Sequence, residues 1–309
     1  MELALTAAEK IFVMLIIAVT GFAAYKKGII DERGNKVLTG VLLTIVNPLM
    51  IINAYQVEID QRLMHNFIIS AMLAIASHLI GIIISVVLIK KGRQDFEIER
   101  LSTVYSNCGF IGIPLINGIF GMEGVLYLTA YLTVFNICLW THGVLQVIEG
   151  ADAKTMAKNL ISPAIICCVL GLIMFVFKIK LPAPIGEAAE QVAAMNSPLA
   201  MIIAGATIAQ ANLKEAVKKL RVYYIAFLRL FAVPLVCALV FAPFGFEKIV
   251  VITAVIEAAC PAAASATMFA INYDKNAVYA SEIFAISTIL SVISLPGVIL
   301  LAELITGTM

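Results

Sequence analysis

Ten apolar runs divide the chain, at 7–26, 36–57, 66–89, 99–120, 124–148, 159–178, 189–211, 217–242, 247–272 and 277–303. A helix that crosses the bilayer core needs about 20 such residues. The pattern therefore predicts an all-α polytopic membrane protein of ten transmembrane helices joined by short connections. The longest polar connections are 90–100 and 149–158. Two runs are interrupted. The fourth holds Asn107, Gly109, Gly112, Pro114 and Asn117 at its middle, and the ninth holds Glu257, Cys260 and Pro261 among small residues. Proline removes a backbone donor and clashes with the preceding turn, and glycine weakens a helix further. Backbone groups freed this way at membrane depth need partners in protein or in a water-filled cavity. Broken helices at corresponding places in two halves of a chain point to the binding site of a transporter.

Composition agrees with the pattern and narrows the partners. Apolar residues are 62% of the chain and charged residues 13%, about half the share found in soluble domains. A formal charge of +1 gives a nucleic acid no footing, so the expected surroundings are the lipid bilayer. All six cysteines lie inside apolar runs, which predicts free thiols. The first run follows the acidic Glu2 and Glu9 and ends at Lys26 and Lys27, the reverse of a cleaved signal peptide, and reads as a true span. With ten spans, 15 lysines and arginines fall on the loops of one face and 5 on the other. The positive-inside rule then places both termini on the non-cytoplasmic side of the cell membrane.

The two halves of the chain resemble each other. Asn47-Pro48-Leu49 in the second run parallels Asn196-Ser197-Pro198-Leu199 in the seventh, with the prolines 150 positions apart. Gly21 and Gly171 keep that spacing, while the pairs Cys108/Cys260 and Tyr127/Tyr279 are 152 apart. A near-constant offset predicts a five-plus-five duplication, residues 1–150 and 151–309. Five is odd, so the second copy is inverted, and broken helices 4 and 9 are expected to cross near the midplane.

The chemistry of such a crossing follows from helix ends. Each half-helix start carries unpaired N–H groups and each half-helix end unpaired C=O groups, equivalent to roughly half a charge apiece. Anions favour the starts; a cation or proton favours the ends. The residues expected to face a substrate are Asn107, Cys108, Gly109, Asn47, Asn196, Asn136 and Arg229. Asn107 can donate to a carboxylate or cap its half-helix. Asn47 and Asn196 either face the substrate or cap proline kinks. Arg229 is a counter-ion for the substrate or for Glu257, or it reaches back to the interface. Pro114 and Pro261 are read as making the breaks, with Cys260 beside the second, and Gly109 and Gly112 as allowing close backbone approach. A carboxylate at mid-span is costly and is a functional hypothesis by default, so Glu257, with Ser265 nearby, is the candidate for a coupling proton or sodium ion, or it forms a structural pair with the crossing helix. No metal site or further cofactor is expected.

The segment Asn107 to Leu115 (Asn-Cys-Gly-Phe-Ile-Gly-Ile-Pro-Leu) resembles the auxin efflux carrier family, which includes plant PIN proteins and bacterial organic-acid permeases. Ala259-Cys260-Pro261-Ala262-Ala263, Tyr273, Ala280-Ser281-Glu282, Ser287 to Ser291, Pro296 and the pair Arg229/Pro234 are similar to it as well. The resemblance implies an NhaA-like fold, with spans 1, 2, 6 and 7 as scaffold and spans 3–5 and 8–10 as transport domain. It also implies an elevator-like movement, a small carboxylate such as malate or malonate as substrate, and a homodimer. Two transport alternatives share that fold, a sodium-coupled bile-acid-type symporter and a sodium/proton antiporter. Against the antiporter, all five aspartates fall in loops or at span ends. Neither H-E-x-x-H nor G-x-S-x-G occurs, so an intramembrane enzyme is not expected.

Overall fold

The computed structural model describes residues 2–58, 60–147, 163–211 and 213–307. The connection 149–158, the 150/151 division and the start of the sixth run at 159–162 lie outside these residues. The described chain is helical, with no β-strand. The elements are α1 (Glu2–Lys26), α2 (Glu32–Ala54), α3 (Gln61–Leu88), α4 (Phe96–Val104), α5 (Cys108–Val147), α6 (Pro163–Val176), α7 (Ala183–Gln210), α8 (Leu220–Phe244), α9 (Lys248–Ala259), α10 (Ala264–Asn272) and α11 (Ala277–Gly307). Seven of them, α1, α2, α3, α5, α7, α8 and α11, are long and apolar enough to cross a membrane. The shortfall from ten lies in the interrupted runs and in the sixth, where the described helix, α6, has only 14 residues. The fourth and ninth each split into pieces, and α5 spans 40 residues, about 60 Å of helix against a ~30 Å core. Gly121, with non-helical φ 63° and ψ −154°, divides α5 into two arms.

Three π-helical turns share one cause. They cover Leu42–Val46, Cys108–Gly112 and Leu228–Ala232. Pro48, Pro114 and Pro234 each stand four residues past the centre of one of them. Proline cannot donate to the carbonyl four residues back, and its ring clashes with it. Widening that turn relieves the clash without ending the helix. This corrects the expected role of Pro114: the fourth run breaks earlier, at Tyr105 to Asn107, and Pro114 continues α5. Pro261 does stand in its break. Cys260 before it is extended, with φ −56° and ψ 146°, as a residue preceding proline prefers to be.

Two sets of polar contacts tie the helices together. Arg62 at the start of α3 pairs with Glu247 at 2.7 Å and Glu123 at 2.9 Å. At the other end Arg221 of α8 pairs with the buried Glu99 of α4 at 2.7 Å, Lys219 with the buried Glu282 of α11 at 2.6 Å, and Lys275 with Glu97 at 3.1 Å. These contacts join α3, α4, α5, α8 and α11, with Glu247 at the start of α9 and Lys275 between α10 and α11. In the second set, Asn35 of α2 donates to Thr207 of α7 at 2.9 Å, Asn196 of α7 donates to Asn47 of α2 at 2.7 Å, and Lys26 of α1 donates to the Ala209 carbonyl at 3.0 Å. Lys180, ahead of α7, donates to the carbonyls of Gln56 and Val57.

Candidate functional site

The two breaks meet. The Asn107 N–H donates to the Pro261 carbonyl at 2.7 Å, and the Ala263 N–H donates to the Tyr105 carbonyl at 3.0 Å. Ser106 and Ala262 thus form a one-residue antiparallel bridge. The Ala262 N–H reaches the Ser287 hydroxyl of α11 at 3.1 Å. Extended backbone deep inside the protein finds its partners in the other break, as a helix interruption at membrane depth requires.

Beside this bridge lies a cavity of about 330 Å³. Both half-helix starts open onto it: Ser106, Asn107, Gly109 and Phe110 from the first, and Ala263, Ala264 and Ser265 from the second. The first turns of α5 and α10 leave N–H groups there without intrahelical acceptors. Asn47 and Asn136 add two amides, and Phe110, Leu132, Phe135, Trp140 and Met268 form an apolar wall. None of the described lining residues is charged. The Asn107 side chain is 4% exposed and makes no hydrogen bond among the described residues, so it does not cap α5. The Ser265 hydroxyl is buried without a partner too.

The candidate residues separate into three groups. Asn107, Gly109, Asn47, Asn136 and Ser265 line the cavity. Asn136 also donates to the Leu132 carbonyl of its own helix at 2.8 Å. Asn196 stands behind Asn47 and donates to it. Cys108, Cys260, Gly112, Pro114 and Pro261 are not on the cavity wall, and both cysteines are buried. A side-chain carbon added at Gly109 would meet nothing within 4 Å, so this glycine leaves open space in the cavity and allows no close approach. Gly112 does fit a close contact, against the Glu257 carboxyl group rather than against backbone.

Arg229 and Glu257 depart furthest from expectation. Arg229 is 1% exposed and, among the described residues, forms an ion pair neither with Glu257 nor with any other carboxylate. Its guanidinium donates to the carbonyls of Thr103 at 2.9 Å and Val104 at 2.8 Å, the last residues of α4, and to the Ala258 carbonyl near the end of α9. It therefore serves both half-helix ends. Glu257 is fully buried, away from the cavity, with neither carboxyl oxygen hydrogen-bonded. Phe110, Phe135 and Trp140 do not stand out in the sequence because apolar residues at helical spacing look like packing, and Ser106 does not because its place depends on the bridge to Ala262. One signal was there: Trp140 is the single tryptophan and stands four residues, one helical turn, past Asn136.

Comparison with known proteins points to membrane transport. A family model described as membrane transport protein matches residues 6–157 and 148–299. An uncharacterized transporter of Methanothermobacter thermautotrophicus is 26% identical over 294 residues, 93% of this chain and 96% of its own. One from Methanocaldococcus jannaschii is 23% identical over 222 residues, 68% and 71% of the two chains. The chain is a multi-pass membrane transporter and belongs to the membrane transport protein family, that of the auxin efflux carriers.

Proposed function

We propose that the protein carries a small organic anion, a monocarboxylate with an apolar body, across the cell membrane by alternating access. One observation carries the reading: two half-helix starts and the unpartnered Asn107 amide open onto one cavity with no charged residue among its described lining. Two starts supply about one positive charge between them, which matches one carboxylate and still lets it go. A second carboxylate would be stripped of water opposite Phe135, Trp140 and Met268 with neutral amides and hydroxyls but no further positive helix start to balance its charge, a cost of several kcal/mol. That favours a monocarboxylate over malate or malonate.

The ten-span, two-repeat arrangement belongs to the same reading. Dividing α5 at Gly121, and counting α4 with the first arm of α5 and α9 with α10 as broken spans, gives it. Equivalent contacts support it. Gly21 on α1 packs against Ile202 of α7, and Gly171 on α6 packs against Tyr55 of α2, as an exchange of halves requires. The ion pairs also gather residues that the ten-span order puts on one face: Glu97, Arg221 and Lys275 at one end, Arg62, Glu123 and Glu247 at the other. In this arrangement both termini are non-cytoplasmic, α1, α2, α6 and α7 form the scaffold of a homodimer, and the remaining helices move.

The test is uptake and counterflow in proteoliposomes with labelled mono- and dicarboxylates. Asn107→Ala is expected to lower monocarboxylate exchange about 10- to 100-fold, the worth of one hydrogen bond to a charged group, while the protein inserts and purifies normally. Unchanged exchange in that variant removes Asn107 from the site.

A further inference from the structure

We propose that Arg229 is the resident cation of the crossing: it occupies the carbonyl ends of α4 and α9, so no metal cation binds there, and it holds the starts of α5 and α10 towards the cavity. Crossed broken helices produce two negative ends as well as two positive starts. The starts open onto the cavity. The ends, Thr103 and Val104 on α4 and Ala258 on α9, all accept from one guanidinium. One full positive charge opposes two half charges. The planar fork reaches two helices at once, which a compact ammonium or a sodium ion of the same charge would do with a different geometry.

The local fold is built to place this group. Pro234 widens the α8 turn Leu228–Ala232, and Arg229 sits within it, turned into the core at 1% exposure rather than towards the interface. Thr103 and Val104 directly precede the bridge that pairs with Pro261 and Ala263. Arg229 therefore touches the backbone just ahead of both breaks while standing off the cavity wall. It acts on a substrate through the two helices, as a positioning residue. The inference deepens the anion-carrier reading, since a protein-supplied cation at the ends leaves the starts to the anion.

The experiment reads thermal unfolding of the purified full chain in detergent, in sodium, lithium or choline chloride at equal ionic strength. A ligand that binds the folded state raises Tm by mass action. Wild type is expected to show the same Tm in all three salts. Arg229→Ala and Arg229→Gln are expected to lose about 5 °C or more, and to regain part of it on adding millimolar methylguanidinium or sodium but not choline. A merely structural arginine would give variants that are destabilised equally in every salt. Arg229→Lys keeps the charge and is expected to stay indifferent to sodium, which keeps the test readable should the neutral variants not accumulate. A sodium- or lithium-dependent Tm in wild type or Arg229→Lys overturns the proposal, as does an unchanged Tm in Arg229→Gln. Failure of every carboxylate in the uptake panel, with this salt profile intact, removes the anion reading and leaves Arg229 in its role.

Discussion

Gly112 and Glu257 show how a single hydrogen atom can decide a buried contact. The Glu257 carboxyl lies where the side-chain carbon of any other residue at 112 would sit. Gly112→Ala is therefore expected to destabilise by roughly 1–3 kcal/mol, the cost of overpacking a tight interior. The paired variant Gly112→Ala/Glu257→Ala should recover much of that loss, because contacting residues are not additive. Thermal unfolding of the four proteins measures the coupling; strict additivity would mean that the two side chains do not meet. Glu257→Gln keeps the shape. Since Glu257 stands off the cavity, the expected outcome is a substrate KM within about twofold of wild type and a changed pH dependence of exchange. An unaltered coupling profile would make Glu257 structural. Asn107 and Glu257 were legible in the sequence because a polar side chain within an apolar run is conspicuous. The partners of Arg229 were not, since backbone carbonyls leave no mark on the residue pattern until the breaks are placed.

At the scale of elements, the sequence marked that the fourth and ninth runs are broken, but only the second break is where its proline stands. Pro114 is absorbed by a π turn, and the first break falls on Tyr105, Ser106 and Asn107, none of which is a helix breaker of the strength of proline. What holds those three residues out of a helix is the other break, through the bridge to Ala262, a tertiary contact that local propensity does not register. The helix pair α1 and α7 makes the complementary point. A carbon added at Gly21 would strike the Ile202 backbone, and one at Gly205 the Ala18 carbonyl, so the two helices meet backbone to backbone. Close packing over small residues replaces the hydrophobic drive that is absent in lipid. Gly205→Leu is expected to push the pair apart and lower stability by a few kcal/mol, read as a lower Tm, with the exposed Val37→Leu as the neutral control. A Gly205→Leu protein as stable as wild type would contradict the close approach.

For the whole molecule, the polar contacts sort the helices into two bodies. Arg62 to Glu247, Arg221 to Glu99, Lys219 to Glu282 and Arg229 to both half-helix ends join α3–α5 with α8–α11. Asn35 to Thr207, Asn47 to Asn196 and Lys26 to Ala209 join α1, α2 and α7. Between the bodies, Thr129 of α5 donates to the Tyr55 hydroxyl at the end of α2 at 2.8 Å, and the Cys168 thiol of α6 lies 3.9 Å from the Thr129 carbonyl. The cavity lies on this seam, with Asn47, Leu43 and Ile51 of α2 facing Asn107, Asn136 and Ser265 of the other body. In the proposed cycle this seam, lined mainly by apolar side chains, slides and opens the site to one side at a time. Movement of one body past the other therefore predicts which tethers stop transport. In a background with Cys138, Cys167 and Cys168 replaced by serine, Tyr55→Cys/Thr129→Cys bridged through disulfides by a short bis-methanethiosulfonate should abolish exchange, and reduction should restore it. Arg62→Cys/Glu247→Cys bridged in the same way stays within one body and should leave exchange within about twofold of the unbridged protein. Transport surviving the first bridge, or lost equally to both, would mean that the bodies do not slide past each other in the cycle.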